Sequence, residues 1–170
     1  MANISKTMQD AFNEQIKNEM DSAYLYLAMS VWCESENLPG AATWMRAQFI
    51  EEQTHALKMA DFVLERGGNV TLHALVQPPA TFKSVVDVFE QTLAHERLVT
   101  ELINKLYNTA VTDKDLASQV FLGWFISEQV EEENHATEVL EQLKAVGSAR
   151  GMLVMFDGHL KDRKATLSVG

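Results

Sequence analysis

The sequence has little of anything that breaks or staples a chain. It contains one cysteine, Cys33, so no internal disulfide can form. A disulfide-stapled scaffold is thereby excluded and a reducing compartment is expected. Cys33 reads as a small buried apolar residue rather than a reactive thiol. Only 3 prolines and 8 glycines occur in 170 residues, and they gather between long periodic segments. So few interruptions argue against short strands joined by frequent turns and for an all-helical chain. No apolar run approaches the ~20 residues of a membrane span, so no membrane is expected as a partner. The stretch Met1-Ala2-Asn3-Ile4-Ser5-Lys6 lacks the apolar core of a signal peptide, and the cytoplasm is the expected location. Basic residues are scarce as well: 14 Lys and Arg against 24 Asp and Glu leave a net charge of -10 at pH 7. That excess disfavours nucleic acid and anionic membrane as partners and suits cations.

What is present is a chain long enough for one domain with a full core, 46% hydrophobic. Its periodicity predicts four long helices over about residues 5–36, 41–66, 81–108 and 112–146, and a short fifth over 149–163. Ser5 is a possible N-cap, Asn37-Leu38-Pro39-Gly40 reads as a turn, and Gly67-Gly68 stops the second helix. Residues 67–80 form a loop ending near Pro78-Pro79. Loops of this length are uncommon in a compact domain. A helix of ~28 residues is ~42 Å long, and about 14 extended residues reach ~46 Å. The loop can therefore return the chain along the whole bundle and start the third helix parallel to the second. Residues 1–147 are expected to form the bundle, with 148–170 a short C-terminal helix and tail of the same domain. Met152-Leu153-Val154-Met155-Phe156 is apolar on almost every side, which calls for a partner chain or a groove.

Each long helix carries a glutamate in its apolar stripe. Glu19 lies in line with Phe12, Ile16, Ala23 and Tyr26, and Glu52 with Met45, Phe49, Ala56 and Met59. Glu96 falls between Leu93 and Val99, and Glu132 between Phe125 and Ala136, beside Gln129. A buried unpaired carboxylate is penalised by roughly several kcal/mol, and a metal ion removes the penalty. Glu52 and His55, three apart on one helix face, offer an oxygen and a nitrogen to a single ion. Carboxylates with an imidazole suit divalent iron, manganese or zinc. Four carboxylates also balance the charge of two divalent cations.

A half-repeat supports the same arrangement. Glu19 to Glu52 and Glu96 to Gln129 are both 33 positions, and an offset of 77 places Glu51 on Glu128, Glu52 on Gln129 and His55 on Glu132. A second Glu-x-x-His, from Glu132 to His135, requires an offset of 80, which pairs Glu96 with Ile16; His135 is expected one turn away, near the surface. Glu51, Glu128, Glu131 and Glu132 form a further acidic group, which is either a looser oxygen-only site or a solvated acidic face. Any one glutamate can be a boundary residue; four at matching depth is the informative pattern. Tyr26 either approaches the site or is a packed core tyrosine. Trp124 is read as packing.

Taken together, Asn13-Glu14-Gln15 with Glu19, Tyr26, Arg46, the run from Glu51 to His55, His95-Glu96 and the run from Trp124 to Glu133 resemble the ferritins, specifically the non-haem bacterial group. The resemblance covers nearly the whole chain. It implies an all-α, ferritin-like four-helix bundle with one long crossover loop and a short fifth C-terminal helix. It implies iron storage with ferroxidase activity at an intra-subunit di-iron centre. Glu19, Glu52 and His55 resemble ligands of a first iron, with Glu52 bridging; Glu96 and Glu132 resemble those of a second, with Gln129 as polar neighbour. Glu51, Glu128 and Glu131, with Glu132, resemble a third iron site, and Tyr26 the tyrosine beside the centre. Partners implied are ferrous and ferric iron, dioxygen or peroxide, and copies of the chain in a hollow 24-subunit shell whose symmetry axis is lined by the fifth helix. Haem-binding relatives carry a methionine after the bridging glutamate, and Glu then His where this chain has Gln129 then Glu132. Gln53 stands in the methionine's place, so no haem is expected. The alternatives are a di-iron oxygenase or peroxidase acting on another substrate, which needs an open pocket beside the metals, and a structural bundle without metal.

Overall fold

A computed structural model describes residues 3–147 and 149–165; the last five residues of the expected tail lie outside the described residues. The chain forms α1 (Lys6–Ser35), α2 (Pro39–Glu65), α3 (Val85–Thr112), α4 (Leu116–Val146) and α5 (Arg150–Leu160). No strand occurs among the described residues. None of their helices is long and apolar enough to cross a membrane.

Helix ends depart from the sequence reading by at most four residues, and capping explains the larger shifts at the starts of α3 and α4. Ser84, not the region of Thr81, starts α3: its Oγ accepts from the Asp87 N–H at 3.1 Å, and the Asp87 carboxylate accepts from the Lys83 N–H at 2.9 Å. This reciprocal pair satisfies two donors at once. At its other end α3 runs past Asn108 to Thr112. Lys114 makes the turn with a positive φ of 55°, and Asp115, not Thr112 or Asp113, caps α4 by accepting from the Ser118 N–H. Pro39 opens α2, where its missing N–H has no helical partner to lose. The fifth helix is shorter than expected, closing at Leu160.

The long connection runs alongside α1 in the direction of that helix. Asn69 N–H donates to Gln9, Thr71 N–H to Asn13 and Val76 N–H to Asp21, and Phe82 reaches the Trp32 ring. It therefore carries the chain from one end of the α1–α2 hairpin to the other. Tyr26 then meets Glu96 while Met29 meets Thr92, so α3 runs antiparallel to α1 and hence parallel to α2. The half-repeat is structural too. With the offset of 77, the buried set Met8, Phe12, Ile16, Glu19, Ser22, Tyr26, Met29 and Cys33 of α1 maps onto buried Val85, Phe89, Leu93, Glu96, Val99, Ile103, Leu106 and Ala110 of α3. Burial around Cys33 pushes its thiol up to about 12, consistent with an inert core residue.

The core comes in two parts. One apolar cluster includes Tyr26, Met29, Met45, Phe89, Leu93, Ala136 and Leu140. The other includes Phe12, Ile16, Ala56, Met59, Val99, Ile103 and Phe125. On every long helix the gap between the two clusters holds the polar residues of the stripe.

Helix α5 is fastened by its one buried charge. Leu38 offers α2 no side-chain cap. The Asp157 carboxylate replaces it, accepting from the N–H groups of Gly40 and Ala41 at 2.8 Å each. A carboxylate at a helix N-terminus meets both unpaired donors and the positive end of the helix dipole. Met152, Val154 and Met155 face outward. Gly40 permits this contact, since a Cβ there would lie 1.7 Å from the Asp157 carbonyl oxygen. Gly40→Ala is expected to lower the melting temperature, because overpacking costs roughly 1–3 kcal/mol and outweighs the at most ~1 kcal/mol that alanine gains in a helix. Calorimetry checks it; an unchanged or higher melting temperature would contradict this docking.

Candidate metal centre

The polar layer is assembled from one face of each long helix. Glu19 on α1, Glu52 and His55 on α2, Glu96 on α3, and Gln129 and Glu132 on α4 are all buried. Each stands three, four or seven positions from buried apolar neighbours, so the spacing that buries the stripe also turns these groups inward.

Glu19, Glu52 and His55 form the tightest group, each bringing one donor atom within 4.8 Å of the other two. His55 Nδ1 lies 3.8 Å from Glu19 Oε2 and 3.4 Å from Glu52 Oε2. Gln15 Nε2 donates to Glu19 Oε1 at 2.7 Å. Glu52 Oε2 is different: it is buried and has no hydrogen-bond partner, the imidazole approaching without hydrogen-bond geometry. A buried acceptor left unpaired costs roughly 1–3 kcal/mol, more when charged. An oxygen in that condition beside a second carboxylate and an imidazole fits a divalent first-row cation.

The other two carboxylates are held apart by hydrogen bonds. Tyr26 Oη donates to Glu96 Oε1 by a short contact. Gln129 Nε2 lies 3.2 Å from both Glu96 Oε2 and the Glu96 carbonyl oxygen. Gln48 Nε2 donates to Glu132 Oε2 at 2.9 Å. Both carboxylates are thus oriented within the layer, outside the tight group. Trp124 packs against His55 in a T-shaped pair at 5.5 Å, and Lys58 lies over the Trp124 ring at 4.4 Å.

Burial and mutual repulsion set the protonation. Desolvation, then the charges of Glu19 and Glu96, drives Glu52 well above the carboxylate range despite His55. Desolvation and Glu132 raise Glu96 to about 8, against the pull of Tyr26 and Gln129. Glu132 is raised by desolvation and Glu51. Burial would raise Glu19 too, but the charged His55 imidazole beside it, with the Gln15 hydrogen bond, outweighs burial and holds it low. His55 is correspondingly raised: burial opposes its charge, and Glu19 and Glu52 overcome burial. Tyr26 is pushed up by burial and by Glu96, so it stays a donor.

The additional acidic residues are dispersed. Glu51 is buried, Glu128 half-buried, and Glu131 exposed, as is His135. Desolvation raises Glu128, with Glu131 and Glu51 adding to it. The group of Glu51, Glu128 and Glu131 does not close into a ligand cluster like that of Glu19, Glu52 and His55. Three participants have no role assigned to them by the sequence reading. Gln15 and Gln48 each stand four residues before a buried glutamate, a spacing that makes them legible in retrospect. Arg163 is not legible that way: it donates to Glu51 Oε2 at 2.8 Å from beyond α5.

Two helical hairpins joined by a long crossover, with carboxylates and the His55 imidazole at mid-height, define the class of ferritin-like metal-carboxylate bundles. The ferritin-like domain family matches residues 9–146. The bacterial non-heme ferritin of Campylobacter jejuni is 38% identical over 159 residues, covering 94% of this chain and 95% of that one. That of Bacteroides fragilis is 42% identical over 146 residues, covering 86% and 92%. An engineered closed form of the Archaeoglobus fulgidus ferritin superposes with a TM-score of 0.94 at 43% identity, covering 96% of this chain and all of that one. The chain belongs to the ferritin family, alongside the bacterial non-haem ferritins.

The raised carboxyls make a pH prediction. Folded, Glu96 keeps its proton up to about 8; unfolded, it loses it near its ordinary 4.5. Its contribution to the stability of the metal-free protein is therefore full below about 4.5 and lost as pH rises through about 8. Glu96→Gln is expected to flatten this decline, so that the metal-free variant melts above the parent at pH 8. Calorimetry across pH 5–8 reads it, and parallel declines in both proteins would contradict the assignment.

Proposed function

We propose that the protein is an iron-storage ferroxidase. It binds ferrous iron in the polar layer, passes the electrons to dioxygen or peroxide, and keeps the ferric product as mineral inside a hollow shell of its own copies. The unpaired Glu52 Oε2, between a carboxylate and an imidazole in a bundle shared with the ferritins, carries this reading. Each ferrous ion gives up one electron, so a pair reduces dioxygen to peroxide, or peroxide to water with protons from solvent.

The chain's own residues divide the work. Glu19, Glu52 and His55 receive the first ferrous ion, and Glu52, ending in the free oxygen, extends toward the second. Glu96 and Glu132 hold the second by giving up their protons. Gln129 and Gln48 keep these two carboxylates aimed until then, and Tyr26 anchors Glu96. Glu51, Glu128 and Glu131, with Glu132, offer a looser third position toward the cavity. The remaining helices hold these groups still and exclude water, so little reorganisation is left for the moment of reaction. Assembly into a 24-subunit shell would cover the outward Met152, Val154 and Met155 of α5. An oxygenase or peroxidase acting on another substrate is not favoured, since the similar proteins are named ferritins.

Anaerobic titration of the metal-free protein with ferrous iron is expected to saturate at two or three ions per chain. Admission of air should then allow a soluble ferric core far beyond that stoichiometry. Glu52→Ala should slow the first oxidation by roughly tenfold or more without unfolding the bundle. Saturation at a single ion per chain, or an unaffected rate in Glu52→Ala, would overturn the proposal.

A further inference from the structure

The acidic flank of the centre already contains a cation, and it comes from the other end of the chain. Asp157 docks α5 on the start of α2, and the residues after Leu160 reach further along that helix. Arg163 follows. Its guanidinium lies 4.6 Å from the centre of the Trp44 ring. Nη2 donates to Gln48 Oε1 by a short contact and to Glu51 Oε2 at 2.8 Å. The same nitrogen is 3.6 Å from Glu132 Oε2. Nη1 is 3.3 Å from His135 Nδ1. Nε is buried without a hydrogen-bond partner.

These distances put one positive charge on oxygens of both Glu51 and Glu132, two buried carboxylates. A guanidinium does not lose its proton, so the charge is fixed. A metal ion that uses the same oxygens meets that charge within a few ångströms, where low dielectric magnifies repulsion. The two cannot share the position.

We propose that Arg163 is a tethered competitor for the cation site that Glu51 and Glu132 offer. That site then fills after the Glu19–Glu52–His55 site, holds its ion weakly, and on filling releases the segment beyond Leu160 while Asp157 keeps α5 docked. Weak retention suits a position that hands iron onward to the cavity. This inference rests on the storage reading in taking Glu51 and Glu132 as cation ligands.

Equilibrium dialysis of the assembled, metal-free protein against zinc, which is redox-inert, tests it. Arg163→Met keeps a long side chain beside Trp44 and removes the charge; Arg163→Lys keeps the charge. The tight zinc sites should be the same in all three proteins. In Arg163→Met the weakest class of site should tighten by about tenfold or more, and Arg163→Lys should stay near the parent. Amide exchange after Leu160 should rise in the parent as that last site fills. An unchanged or weakened last site in Arg163→Met, or a lysine variant that behaves like the methionine one, overturns the inference while leaving the storage reading intact. Absence of any tight zinc in the parent removes both.

Discussion

The structure turns on buried negative charge without a resident counter-charge of equal size. Glu19, Glu52, Glu96 and Glu132 lie in one layer, with the His55 imidazole beside Glu19 and Glu52. Water cannot solvate them, and hydrogen bonds from Gln15, Gln48, Gln129 and Tyr26 satisfy only part of their oxygens. In the metal-free protein the layer responds by keeping protons, above all on Glu52 and Glu96. Divalent cations relieve the same stress and expel those protons. Burial that looks like a folding penalty is thus the source of affinity.

The scaffold isolates that layer. One apolar cluster lies on each side of it. The helices pack on one another through these clusters, and the polar residues lie between them. The crossover makes the depth match. Running back beside α1, it lets α3 start where α2 starts, so the second hairpin repeats the first. Without that return, Glu96 and Glu132 would not come to the level of Glu19 and Glu52. Helix α5 adds a second tie at the bundle's end through Asp157, and brings Arg163 to the acidic flank.

Much of this was legible in the sequence, because a glutamate inside an apolar stripe is a strong contradiction that only a few arrangements resolve. The four helices, the crossover and the inward groups all follow from period and spacing. Helix starts were less legible. Thr81 and Thr112 look like adequate starts, and only the local geometry shows that Ser84 and Asp115 do the capping. The Glu96 and Glu132 side chains were placed in the right layer, but their hydrogen-bonded orientation depends on Tyr26, Gln129 and Gln48 from neighbouring helices. Arg163 was beyond reach, since its position depends on how a short terminal segment folds back over α2. Glu131 shows the limit of charge patterning: it shares a helix face with Glu128 and Glu132, yet it is exposed.

The central claim is that cations enter this layer because its carboxylates cannot otherwise be satisfied. Crystals grown metal-free and soaked anaerobically in ferrous salt, with anomalous data collected at the iron edge, address it directly. The account requires one iron peak among Glu19, Glu52 and His55 and a second on the far side of Glu52, toward Glu96 and Glu132. Peaks confined to the outer surface, with the layer left without iron, would contradict it.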